Sequence, residues 1–156
     1  MRTGDMNRCT IRRIRLVNFH NFVDETIDVC RGGHLFLLGD NASGKTTILD
    51  AVHYVLTAGE GLEFNAAARV AGSREGGRRI QGAILRYNVD TGPLNPNGAI
   101  SYAALEIADA RGVPTTVAIG MTAASMDDKV QRWGIVRECP LDTIPFLLDT
   151  PWGRRL

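Results

Sequence analysis

The sequence predicts an α+β fold, with one long helix packed beside a mainly antiparallel sheet. Three observations predict it. A helical pattern occurs at length only once, over Thr47–Leu56, where Ile48, Leu49, Val52, Val55 and Leu56 recur at the spacing of one helix face. Strand-like stretches are many and are joined by short turns rather than by helices. The segment Gly39-Asp40-Asn41-Ala42-Ser43-Gly44-Lys45-Thr46 fits G-x-x-x-x-G-K-[ST] and lies between the apolar run Leu35-Phe36-Leu37-Leu38 and that helix. Strands and helices that do not alternate argue against a doubly wound parallel sheet.

In chain order, Thr10–Phe19 reads as the first strand, with Ile11, Ile14, Leu16 and Val17 as its apolar side. His20-Asn21-Phe22 reads as a turn, Glu25–Val29 as a second strand, and Arg31-Gly32-Gly33 as the turn into a buried strand at 35–38. The helix ends at Ala58-Gly59-Glu60-Gly61. Leu62–Arg79 is rich in Ala, Gly and Arg, with one helical turn or more at Asn65–Arg69 and a loop at Gly72–Gly77. Ile80–Val89 reads as a strand, or as a short helix followed by one. Thr91–Gly98 is a turn. Ile100–Ala108 and Pro114–Thr122 are strands joined by the hairpin loop Asp109-Ala110-Arg111-Gly112. Met126–Lys129 is a polar turn and Trp133–Arg137 a further strand. Pro145 breaks the apolar run Leu141–Leu148.

The 156 residues, 44% of them hydrophobic, are enough for about one domain with a core. No apolar run approaches a membrane span, so no membrane partner is expected. Met1–Arg8 is polar and lacks a signal-peptide core. Cys9, Cys30 and Cys139 are odd in number and widely spaced, which predicts neither a disulfide framework nor a metal site and points to a reducing cytoplasm. His20, His34 and His53 are scattered and read as structural or surface residues. A net charge of +1 gives no global nucleic-acid footprint. Among the basic residues only Lys45 and Lys129 are lysine.

The loop motif carries the chemistry. Gly39 and Gly44 permit backbone conformations that a Cβ would forbid. Successive N–H groups of Asn41, Ala42, Ser43, Gly44, Lys45, Thr46 and Thr47 can then turn toward phosphate oxygens, helped by the positive end of the helix. Lys45 supplies a cation for the β- and γ-phosphates, and the Thr46 hydroxyl is a candidate Mg²⁺ ligand. ATP and Mg²⁺ are the expected ligands.

Ile14–Phe22, with its strand end Asn18-Phe19, followed by Gly39–Ala51, resembles the N-terminal head lobe of the SMC (structural maintenance of chromosomes) ATPases. Asn41 matches the loop asparagine of that family. Ala42 stands where its usual loop glycine would be. Phe64–Ala67, Arg79–Gly82 and Ser101–Glu106 resemble the Wadjet-type bacterial condensin ATPases (JetC or MksB-like, distant relatives of MukB).

The resemblance implies a P-loop NTPase lobe of the ABC/SMC head type over residues 10–148. A flexible N-terminus, 1–9, would precede it, and 149–156 would lead toward a coiled coil that this sequence lacks. It implies a C-terminal lobe bearing the signature motif and the Walker B carboxylates, and a second head in a homodimer that sandwiches ATP. It also implies double-stranded DNA and accessory condensin-type subunits as partners, with roles in chromosome maintenance or plasmid defence. No catalytic residue is expected within this stretch. Phe146-Leu147-Leu148-Asp149 imitates a Walker B strand, but no Glu follows Asp149 and Pro145 interrupts the strand. No Asn-Lys-x-Asp is present, which argues against a GTPase. Arg13 and Arg15 read equally as nucleotide contacts or as surface arginines. Arg69, Arg74, Arg78 and Arg79 read equally as DNA contacts or as a solvated loop. Two other readings stay open: a repair ATPase lobe of the RecF or RecN type, and a non-hydrolysing nucleotide-binding module that gates an interaction.

Overall fold

A computed structural model describes residues 9–29, 34–41, 43–60, 79–88, 92–94 and 99–144. Five antiparallel strands form its main sheet, in the order β2-β1-β5-β6-β7. They are β1 (Thr10–Phe19), β2 (Phe22–Asp28), β5 (Ala99–Ala108), β6 (Pro114–Ala123) and β7 (Gln131–Arg137). Two helices, α1 (Lys45–Leu56) and α2 (Ile80–Ile84), and a small ribbon of β3 (Tyr87–Asn88) with β4 (Gly92–Pro93) lie between β2 and β5 in the chain. The helix-then-strand reading of 80–89 is the one the structure takes. The expected helical turn at Asn65–Arg69 and the loop at Gly72–Gly77 lie outside the described residues.

Alternation along the strands divides the sheet into two faces. Ile14 and Leu16 of β1, Ala103 and Leu105 of β5, and Ile119 and Met121 of β6 form the inner face. They are buried in one cluster with Ile48, Ala51, Tyr54 and Val55 of α1 and with Ile84 of α2. The expected arrangement, the long helix beside an antiparallel sheet, therefore rests on a shared core. On the outer face Ala104 and Ala118 are covered by Leu141 and Ile144, which follow β7 around a 3-10 turn at Leu141–Thr143. The β5–β6 hairpin pairs without a slip from Ala99↔Ala123 to Ala108↔Pro114. Its loop is closed by Asp109 Oδ1, which accepts from the amides of Arg111 and Val113.

One expected element does not form. Leu35–Leu38 is irregular, not a buried strand, and Phe36 and Leu38 are 85% and 91% exposed. A strand requires a neighbour for its N–H and C=O groups. The main sheet is built from β1, β2 and β5–β7, and 35–38 is not part of it. Apolar composition alone did not supply a pairing partner.

Candidate functional site

The phosphate-loop motif sits at the start of α1. Gly44 is the N-cap, at φ 95°, and no side chain caps the helix. The first turn carries no acidic residue. The first amides of a helix have no acceptor one turn back, so this end presents N–H groups and a positive dipole together. Glycine is required at both ends of the loop. At Gly39, with φ 151°, a Cβ would lie 2.8 Å from Ser43 Oγ. At Gly44 it would lie 2.9 Å from Phe22 Cζ and 3.0 Å from Asn21 Nδ2.

Lys45 folds back over the loop. Its Nζ donates to the carbonyls of Gly39 at 2.5 Å and Asp40 at 2.6 Å, and to Ser43 Oγ at 3.2 Å. A cation on an uncapped helix N-terminus is unfavourable for the helix itself. Here it is held at the loop by backbone oxygens that phosphate oxygens could replace. The loop therefore fits an anionic ligand. Asn41, Ser43 and Thr46 are exposed and Thr47 is half-buried, while Ala42 lies outside the described residues. No group of three His, Cys, Asp or Glu suited to a metal occurs among the described residues. A Mg²⁺ arriving with a phosphate ligand would be held by the Thr46 hydroxyl together with phosphate oxygens and water, as suits a cation that dehydrates reluctantly.

The far end of α1 is fixed as well. Gly59, at φ 76°, donates its amide to Tyr54 O, and Arg132 of β7 donates to the carbonyls of Ala58 and Gly59. The helix is thereby pinned to the sheet behind the loop.

Arg13 and Arg15 are engaged elsewhere. They alternate with Ile14 and Leu16, so they belong to the outer face, whereas α1 packs on the inner one. Arg13 pairs with Glu106 and, at 3.1 Å, with Asp142; these hydrogen bonds hold its guanidinium well above the ordinary arginine range. Glu106 Oε2 also accepts from the Leu141 amide at 2.9 Å, so this cluster fastens the segment after β7 to the sheet. Arg15 pairs with Asp24 at 3.0 Å and donates to Thr26 Oγ1. Neither arginine is grouped with Lys45. Arg79 is half-exposed and lies 3.6 Å from Asp127. Arg69, Arg74 and Arg78 lie outside the described residues.

Asn21 and Phe22 were not anticipated at the site. The sequence signal was available, because His20-Asn21-Phe22 directly follows the Asn18-Phe19 strand end. Nothing in the residue pattern, however, says that this turn abuts Gly44.

Comparison with known proteins agrees with this geometry. Residues 11–71 match a model of the P-loop containing region of AAA domain. The DNA replication and repair protein RecF of Brucella abortus is 39% identical over 158 residues, covering 96% of this chain and 41% of the relative. RecF of Rhizobium rhizogenes is 29% identical over 139 residues, covering 89% of this chain and 30% of the relative. RecF of Clostridium perfringens is 36% identical over 44 residues, or 28% of this chain. The chain thus spans 41% of the Brucella relative's length and less of the other two. These matches agree with the phosphate-loop motif at 39–46 and with the helix that follows it.

Proposed function

We propose that residues 10–148 form the ATP-binding lobe of a RecF-type, DNA-associated ATPase. The observation that carries this reading is Lys45, drawn over an uncapped helix N-terminus by the carbonyls of Gly39 and Asp40. The amides of Gly39–Thr47 and the Lys45 ammonium would bind and orient the phosphates, and Thr46 would hold Mg²⁺. The bound metal would neutralise charge on the phosphates, in a reaction governed by positioning and electrostatics. No residue of this chain is assigned as the water-activating base. In this proposal that group comes from a further lobe of the parent polypeptide, and a second head completes the site.

The RecF-type reading is placed ahead of an SMC-type condensin head, including its Wadjet-type branch. The condensin branch rests on three short stretches, whereas similarity to a RecF covers 96% of the chain. A cytoplasmic location and contact with duplex DNA through Arg69, Arg74, Arg78 and Arg79 belong to the same proposal.

The test is steady-state ATP turnover by the full-length parent and by this chain, each with and without duplex DNA. The parent should turn over ATP and this chain essentially none. Replacing Arg79 with Ala in the parent should weaken DNA binding at every sequence and lower the log–log salt slope by about 0.9 if one phosphate contact is lost. Nucleotide binding by the parent without turnover would favour the non-hydrolysing module instead.

A further inference from the structure

Four non-glycine residues among those described have a clearly positive φ, and three of them meet at one place. They are Asn18 at 48°, His20 at 54° and Arg86 at 53°. Asn and His are among the side chains that tolerate this conformation best, yet it persists only where the surroundings impose it. The surroundings here are specific. Asn18 Nδ2 donates to Ile84 O at 3.1 Å and to Ile100 O at 3.0 Å. The His20 amide donates to Ala83 O at 2.8 Å, and Arg86 Nε donates to His20 O at 3.0 Å. The turn from β1 to β2 is thus locked on one side to the end of α2 and the start of β5.

Its other side meets the phosphate loop. Asn21 Nδ2 and the Phe22 ring occupy the space into which a side chain at Gly44 would extend. Gly44 in turn makes the first bond of α1, accepting the Ile48 amide at 3.1 Å. None of these turn residues belongs to the motif at 39–46.

We infer that the Asn18–Phe22 turn positions the phosphate loop: Asn18 fixes the turn against α2 and β5, and Phe22 holds Gly44 in the left-handed conformation that opens the first amides of α1. Asn18 and Phe22 are positioning residues that need not touch the nucleotide. The ligand part of this inference rests on the nucleotide-binding reading above; the geometric part does not.

The experiment compares the full chain with Asn18→Gly and with the milder Phe22→Leu. Glycine accepts the backbone at position 18 while deleting the side-chain hydrogen bonds to Ile84 and Ile100. Amide hydrogen exchange is read at Ile48 and across the β5–β6 ladder, and Mg·ADP affinity is measured by calorimetry. Ile48 should exchange about tenfold faster with the ladder unchanged, and Mg·ADP affinity should fall about tenfold, equivalent to about 1.4 kcal/mol of binding. Unchanged Ile48 exchange in both variants would overturn the inference. So would equal acceleration throughout the ladder, which signals general destabilisation. Absence of Mg·ADP binding by the unsubstituted chain, alongside a specific Ile48 response, would instead remove the nucleotide reading and leave the positioning role standing.

Discussion

Gly44 carries two constraints at once. Its φ of 95° excludes most side chains, and Phe22 and Asn21 fill the space a Cβ would need. The first constraint was legible in the motif, because loops that turn their amides inward need glycine. The second was not, because it joins residues about twenty positions apart through tertiary packing. Replacing Gly44 with Ala should cost about 1–2 kcal/mol from the left-handed backbone alone. The displaced Phe22 should add to this. Chemical denaturation would show the midpoint moving to lower denaturant, and an unchanged midpoint would mean that the loop relaxes without cost. Arg13 teaches the complementary lesson. Its sequence position left nucleotide contact and surface exposure equally open, and the partners it takes, Glu106 and Asp142, lie 93 and 129 positions away. No local pattern reports such a pairing.

At the scale of elements, the strands were the most legible feature, since alternation and turn residues are local signals. In sequence the segment after β7 is an apolar run broken by proline, and its role in covering the outer face appears only with the Arg13–Glu106–Leu141 contacts. That fastening should be pH-dependent. The Arg13 hydrogen bond holds the Asp142 carboxyl below its ordinary value of 3.8. A depressed folded-state value contributes stability above the unfolded value and loses it as pH falls through the folded one. Melting temperatures of the unsubstituted chain and Asp142→Asn should therefore differ near neutrality and converge in acid below about pH 4. A difference that persists into strong acid would place the effect elsewhere.

The apolar composition of 35–38 predicts a buried strand. The structure instead leaves Phe36 and Leu38 in solvent, and on α1 it leaves Leu49 and Leu56 more than half exposed. Changing Phe36 and Leu38 together to Ser should alter the stability of this chain by no more than about 0.5 kcal/mol, as for other exposed positions. In the full-length parent the same pair should reduce stability by several kcal/mol if a further lobe buries them, at about 1.5–3 kcal/mol per large apolar side chain. Equal effects in the two proteins would mean that nothing in the parent covers this run.

For the whole molecule, one core joins the sheet to the helix that starts at the phosphate loop. Arg132 clamps one end of that helix, and the Asn18–Phe22 turn abuts the other. This layout was predictable as a fold class because a single long helix among many strands leaves few ways to bury its apolar face. On the proposed reading, its central consequence is that Lys45 is held at the loop by the carbonyls of Gly39 and Asp40 before any ligand arrives. Calorimetric titration of the chain and of Lys45→Ala with Mg·ADP tests this most directly. The chain should bind, and Lys45→Ala should lose about 1.5–3 kcal/mol, a roughly 10- to 150-fold weakening, as expected for one hydrogen-bonded charge on the phosphates. Equal affinity in a folded Lys45→Ala protein, or no binding by either, would contradict the assignment of this loop as the nucleotide site.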